Sequence, residues 1–136
     1  MLASLGLLIL VMALVDPDRV ADPDRPIDPR VLQQLKEKAE KGDAGAQYQL
    51  GLDLSYAKNG ALDPRDVDRA ITWLTKAAAQ GHSQAQFRLG ELYFHRFGPE
   101  GSDYAKAAAW FKKAAEQGNS AAWIKLGTVL RKVAMG

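Results

Sequence analysis

The residues best suited to chemistry in this chain are two histidines, His82 and His95, and 16 Asp and Glu side chains. A zinc-type centre needs three or four His, Cys or carboxylate ligands brought together at a fixed spacing. The histidines stand 13 residues apart with no ligand motif around them, and there is no cysteine. That excludes a thiolate metal site and a disulfide framework, and leaves the redox compartment undetermined. His82 sits between Gly81 and Ser83, where a turn residue belongs. His95 follows Glu91 by one helical turn, the spacing of a surface hydrogen-bonded pair. No G-x-S-x-G elbow, phosphate-cradling loop or dinucleotide fingerprint is present, and the acids are scattered, mostly at positions where helices begin. These observations read as a non-enzyme with no cofactor, no metal and no small-molecule substrate. The formal charge of +2 is spread along the chain with alternating sign, unlike the one-sided Lys and Arg of a nucleic-acid binder.

The order in the chain lies elsewhere. A thirteen-residue phrase occurs three times: AEKGDAGAQYQLG ending at Gly51, AAQGHSQAQFRLG ending at Gly90 and AEQGNSAAWIKLG ending at Gly127. The closing glycines are 39 and 37 residues apart, a period typical of stacked helical repeats. Before each phrase runs a second helical pattern. RDVDRAITWLTKAAAQG and DYAKAAAWFKKAAEQG align with Trp73 over Trp110, Leu74 over Phe111, Ala70 over Ala107, Ala77 over Ala114 and Ala78 over Ala115. Rows of Ala allow close helix approach while the large residues fill the space between units. Asp66 and Asp103 stand where an N-cap or first-turn acid belongs, and Gly42, Gly81 and Gly118 are placed to stop these helices. Asp43, Ser83 and Asn119 are then expected to cap the next ones. At 100° per residue, Ala46, Leu50 and Leu54, with Ala85, Leu89 and Tyr93, make one buried stripe, while Tyr48, Phe87 and Ile124 point towards an adjoining unit. Apolar residues on two sides are what stacking requires.

These phrases resemble the Sel-one-like repeat family, relatives of the tetratricopeptide repeats. The family's A-x-x-W-[YF]-x-K-A-A-E-Q-G, followed by three variable residues and A-Q-x-x-L-G, is matched at Ala107, Trp110, Phe111, Lys113, Ala114, Ala115, Glu116, Gln117 and Gly118. It recurs at Ala70, Trp73, Lys76, Ala77, Ala78, Gln80, Gly81, Ala85, Gln86, Leu89 and Gly90. The resemblance covers residues 29–136 and implies an all-α fold, a right-handed α-solenoid of antiparallel helix pairs that serves as an adaptor between proteins. Gln34 stands in the Trp slot and Val31 in an Ala slot of the helix before Gly42, so that helix reads as a polar-faced cap. Residues Asn119 to Ala134 read as a first helix without its partner, giving two full repeats with a half repeat at each end. A cysteine-rich branch of the family is linked to β-lactam binding; a chain without cysteine gives that no support.

The N-terminus is different in kind. Residues 1–15 are almost wholly apolar and uncharged beyond the N-terminal amine, and read as a signal peptide or uncleaved membrane anchor. An apolar helix packed on the domain is the alternative, and Arg19, Arg25 and Arg30 would favour keeping the following side inside. Residues 16–28 carry Asp-Pro three times and read as an extended spacer. The combination points to the cell envelope, periplasmic, anchored at the inner membrane or exported, with a cytoplasmic location as the alternative. In bacteria, the resemblance implies, such repeat proteins are often exported or tethered.

Comparison between repeats also marks candidate binding positions. Gln49, Arg88 and Lys125 form one row that varies at an exposed angle; Leu52, Glu91 and Thr128 form a second; Tyr56, His95 and Lys132 form a third. By resemblance these first helices line the concave face. The expectation is a groove for a protein segment, with an apolar end near Tyr56 and a basic end near Lys125, against the plain alternative of solvated helix residues. Trp123 takes the slot of Gln47 and Gln86 and is a candidate end contact, or else packs on the preceding helix. The loops Ala57 to Pro64 and Phe97 to Ser102 are further, weaker candidates. The function so read is a non-catalytic adaptor for a protein partner, with an accessory subunit of a membrane complex, held by its N-terminal apolar helix, as the alternative.

Overall fold

In the computed structural model the described residues are 28–56, 63–95 and 103–135. They form six helices and no strand: α1 (Pro29–Glu40), α2 (Ala44–Leu54), α3 (Pro64–Ala79), α4 (Ser83–His95), α5 (Tyr104–Glu116) and α6 (Ser120–Met135). The apolar run at 1–15, the spacer apart from Asp28, and most of the two candidate loops lie outside the described residues. Among those described, no helix is long and apolar enough to cross a membrane.

Each helix starts where a side chain can accept a bond from an otherwise unpaired backbone N–H. Asp28 accepts from Arg30 N at 2.8 Å, Asp43 from Ala46 N at 2.7 Å, Asp63 from Arg65 N at 2.8 Å and Asp103 from Lys106 N at 3.0 Å. Asn119 accepts from Ala122 N at 3.1 Å. Asp66 lies in the first turn of α3, with Pro64 at the first helical position. One expectation is corrected: Ser83 is the first residue of α4, and the cap is His82, whose Nδ1 accepts from Ala85 N at 3.2 Å. A neutral imidazole nitrogen does there what the Asp43 and Asn119 oxygens do elsewhere.

Three helices end alike. Gly42, Gly81 and Gly118 have φ of 96°, 85° and 92°, a left-handed backbone that only glycine adopts freely. Paired bonds, such as His82 N to Ala77 O at 3.2 Å and Gly81 N to Ala78 O at 3.0 Å, then close the helix end. The chain reverses within a few residues, so α1 folds back onto α2, α3 onto α4 and α5 onto α6.

Each of these hairpins owns one core. Leu35 and Ala39 of α1 meet Ala46 and Leu50 of α2, and Trp73 of α3 packs against them. Leu74, Ala77 and Ala78 of α3 meet Ala85, Leu89 and Leu92 of α4, joined by Tyr48 and Trp110 from the flanking helices. Ala107, Phe111, Ala114 and Ala115 of α5 meet Ala122 and Val129 of α6. The aligned tryptophans thus tie each core to the next. The helix-to-helix joints across the longer loops are closer still. A Cβ on Gly51 would come within 2.5 Å of Leu74, and one on Gly90 within 2.6 Å of Phe111. These glycines are notches into which the following unit inserts one large side chain.

Candidate protein-binding face

Helices α2, α4 and α6 present the three predicted rows, and one cluster joins all three helices. Arg88 of α4 reaches back to α2, with Nε and Nη2 each 3.1 Å from Ser55 Oγ and Nη2 3.4 Å from Ser55 O. Its Nη1 donates to Glu91 Oε2 at 3.1 Å, and its guanidinium lies 5.2 Å from the ring centre of Tyr56. Glu91 Oε1 also receives Lys125 Nζ of α6 at 3.7 Å. Glu91 is therefore clamped between two cations, which corrects the expected pairing with His95; the His95 ring instead stands edge-on to Phe94 at 4.9 Å. The arrangement follows from charge: a carboxylate between Arg and Lys gains two charge-assisted partners.

Gln49 donates to Asp53 at 3.3 Å, and Thr128 turns its hydroxyl back to Ile124 O at 3.1 Å. Leu52 is half-buried beside them, whereas Lys132 and Tyr56 are exposed, Tyr56 at 56%. Tyr48, which was assigned only to unit stacking, also borders this cluster. Burial lifts its phenol above the ordinary 10.0, helped by Tyr56 and opposed by Arg88. Its ring stacks on His82 at 4.7 Å. The face therefore offers a neutral phenol, an Arg stacked on a Tyr, a shared carboxylate and an exposed Lys132. Such a surface can recognise a peptide by hydrogen bonds, charge and aromatic contact; among the described residues no group of three His, Asp or Glu is set to hold a metal ion.

Ser55 was not anticipated. A small hydroxyl at a helix end gives little sequence signal, and only the reach of Arg88 from the next unit reveals its part. The second omission is a glutamine relay. Gln47 donates to Ala39 O at 3.0 Å and accepts from Gln80 at 2.9 Å; Gln86 donates to Ala78 O at 3.1 Å and accepts from Gln117 at 2.6 Å. The spacing of 39 between Gln47 and Gln86, with Gln80 and Gln117 37 apart, was visible as repetition but not as a bond. Trp123, in the third such slot, cannot accept the corresponding bond and is 56% exposed.

The profile of the Sel1 repeat family matches residues 44–82 and 83–119. The chain belongs to the Sel1 repeat family. Proteins with Sel1 repeats are generally protein-interaction scaffolds of a non-catalytic fold. A Sel1 repeat protein from Oxalobacter formigenes superposes with a TM-score of 0.57 at 32% identity, over 72% of this chain and 68% of its own. A protective antigen of uropathogenic Escherichia coli strains with an SLR fold gives 0.62 at 31% identity over 75% of this chain. The match accounts for 21% of that antigen. A stretch of 61 residues is 36% identical to HRD3A, a component of an ERAD-associated E3 ubiquitin ligase of Arabidopsis thaliana. That stretch is 45% of this Sel1 repeat chain and 9% of HRD3A. With both solved neighbours, the six helices make the fold an all-α, right-handed Sel1 solenoid, as the resemblance implied.

Proposed function

We propose that this Sel1 repeat protein is an adaptor that binds a segment of a partner protein along the concave face formed by α2, α4 and α6. The observation that carries the reading is the cluster of half-buried Arg88, Glu91 and Lys125 anchored on buried Ser55, which links all three helices beside the open Tyr56 and Lys132. Charges held in a fixed array on a rigid stack bind with little ordering cost. We extend the proposal to attachment at the cell envelope, which the uncharged apolar run Leu2 to Val15 and the Asp-Pro spacer support. Crosslinking and pull-down from native membranes, comparing wild type with Tyr56→Ala/Arg88→Glu/Lys125→Glu, tests the groove. Loss of one specific partner with an unchanged helical circular-dichroism spectrum is expected; retention of every partner sinks the reading. Carbonate extraction of those membranes tests the attachment, with release of the protein as the contrary result.

A further inference from the structure

The joint between the first and second helix pairs and the joint between the second and third are built alike, but only the first contains a histidine. In each, a glycine notch takes a large side chain, Leu74 against Gly51 and Phe111 against Gly90. A glutamine bond then closes the turn edge, Gln80 to Gln47 and Gln117 to Gln86. In the first joint the turn between α3 and α4 also lays His82 on α2, where its ring stacks on Tyr48 at 4.7 Å. The turn between α5 and α6 carries Asn119 in that slot, and Phe87 takes the place of Tyr48 and packs on Phe111.

His82 holds two elements at once. Its Nδ1 accepts from Ala85 N at 3.2 Å and so caps α4, while its ring face lies on α2. An imidazole nitrogen accepts a hydrogen bond only while it carries no proton. Once protonated, Nδ1 is a donor facing the donor of Ala85, and a cation stands at a helix end whose unpaired N–H groups are already positive. Turning the ring in place does not help, because a C–H then faces Ala85 N. Either way the first turn of α4 loses its cap, and His82 sits on that turn.

The groups around the ring divide in sign. Asp43 of α2 attracts an imidazolium, but burial weighs more and holds the ring below its ordinary 6.5. The Asp43 carboxylate is itself engaged with Ala46 N at 2.7 Å. Tyr48 is a neutral phenol whose face draws a cation, a second pull against release. Gln80 of α3 and Gln117 of α5, which border the turn, are uncharged. In the other joint Asn119 accepts the matching bond from Ala122 N at 3.1 Å through an amide oxygen, which takes no proton.

We propose that the joint between the first and second helix pairs is a proton-operated hinge: acid breaks the His82 cap and opens the turn edge about the Leu74–Gly51 contact, while the joint between the second and third pairs stays closed. Arg88 bonds to Ser55 across the same joint, so the Tyr56 half of the concave face moves with it, whereas Glu91 and Lys125 pair across the other. The hinge needs no partner and stands or falls apart from the groove.

The test uses the full chain, which has no native cysteine. Glu40, Ala79 and Glu116 are the exposed last residues of α1, α3 and α5. Spin labels on Glu40→Cys/Ala79→Cys therefore span the first joint, and labels on Ala79→Cys/Glu116→Cys span the second. Pulsed electron paramagnetic resonance distances are read from about pH 7.5 to about pH 5, with NMR of the His82 ring to show where it takes its proton. The first distance should lengthen or broaden along the His82 titration while the second stays constant. His82→Asn should keep the first joint closed throughout, and His95→Gln should respond as the parent chain does. Phe87→Tyr/Asn119→His should give the second joint the same response. A ring still neutral at about pH 5, a ring that titrates while the first distance stays fixed, opening that persists in His82→Asn, or equal opening of both joints in the parent chain would each overturn the proposal.

Discussion

Gly51, Gly90 and Gly127 share one register position, and the space in front of them gives the same substitution opposite signs. At Gly90 an added methyl would stand 2.6 Å from the fully buried Phe111 ring, which has nowhere to go. Gly90→Ala should therefore lower stability by roughly 1–3 kcal/mol in urea unfolding, as overpacked cores do. Gly127→Ala meets open space and should raise it by roughly 0.5–1 kcal/mol through helix propensity alone. His82 offers a second residue-scale test. Burial holds its imidazole below the ordinary 6.5, with Asp43 pulling the other way. The unfolded chain thus binds more protons than the folded one just below pH 6.5, and stability falls as pH drops through that value. Above it the capping bond from Ala85 N is fully present. His82→Asn, which supplies the Asn119 type of cap, should flatten the melting temperature between pH 7 and 5.5, whereas an unchanged slope would place the dependence elsewhere.

Among the elements, the helices themselves were legible because their signals are local and repeated. Asp66 and Asp103 at the helix starts, Gly after each second helix, and the Ala rows with Trp73 and Trp110 mark start, stop and buried side within a few residues, although the cap of α3 is Asp63. What the sequence hid depends on side chains 31 or 33 residues apart: Arg88 with Ser55, Gln80 with Gln47, Gln117 with Gln86. Repetition showed that those positions matter but not which group faces which, because polar side chains choose partners by reach as well as by period. Ser83 was mistaken for a cap because serine is the commoner acceptor, while the register put His82 in the Asp43 slot. The relay carries its own prediction. Gln86→Leu removes the buried amide that donates to Ala78 O and accepts from Gln117, and should cost roughly 1–3 kcal/mol by chemical unfolding; a value near zero would mean that water substitutes for it.

At the scale of the molecule, two kinds of contact recur where one pair of helices meets the next. The notch glycines take one apolar side chain near mid-helix, and the glutamines join the turns at the edge of the stack. The candidate groove was legible only as three variable rows, since nothing in the sequence says that Arg88 and Lys125 share Glu91. Once they do, the Ser55–Arg88–Glu91–Lys125 cluster belongs to no single unit: it is held by groups from three successive ones.

The two kinds of joint differ mechanically. A large side chain seated in a glycine notch is a pivot, because apolar contact has no preferred direction. A glutamine bridge at the rim is a latch, because a hydrogen bond weakens steeply when its angle opens. Pivot and latch together make each junction a hinge with a catch. The angle between successive hairpins is therefore constrained at the notch and again at the glutamine bond, and a change at either point would be felt along the stack.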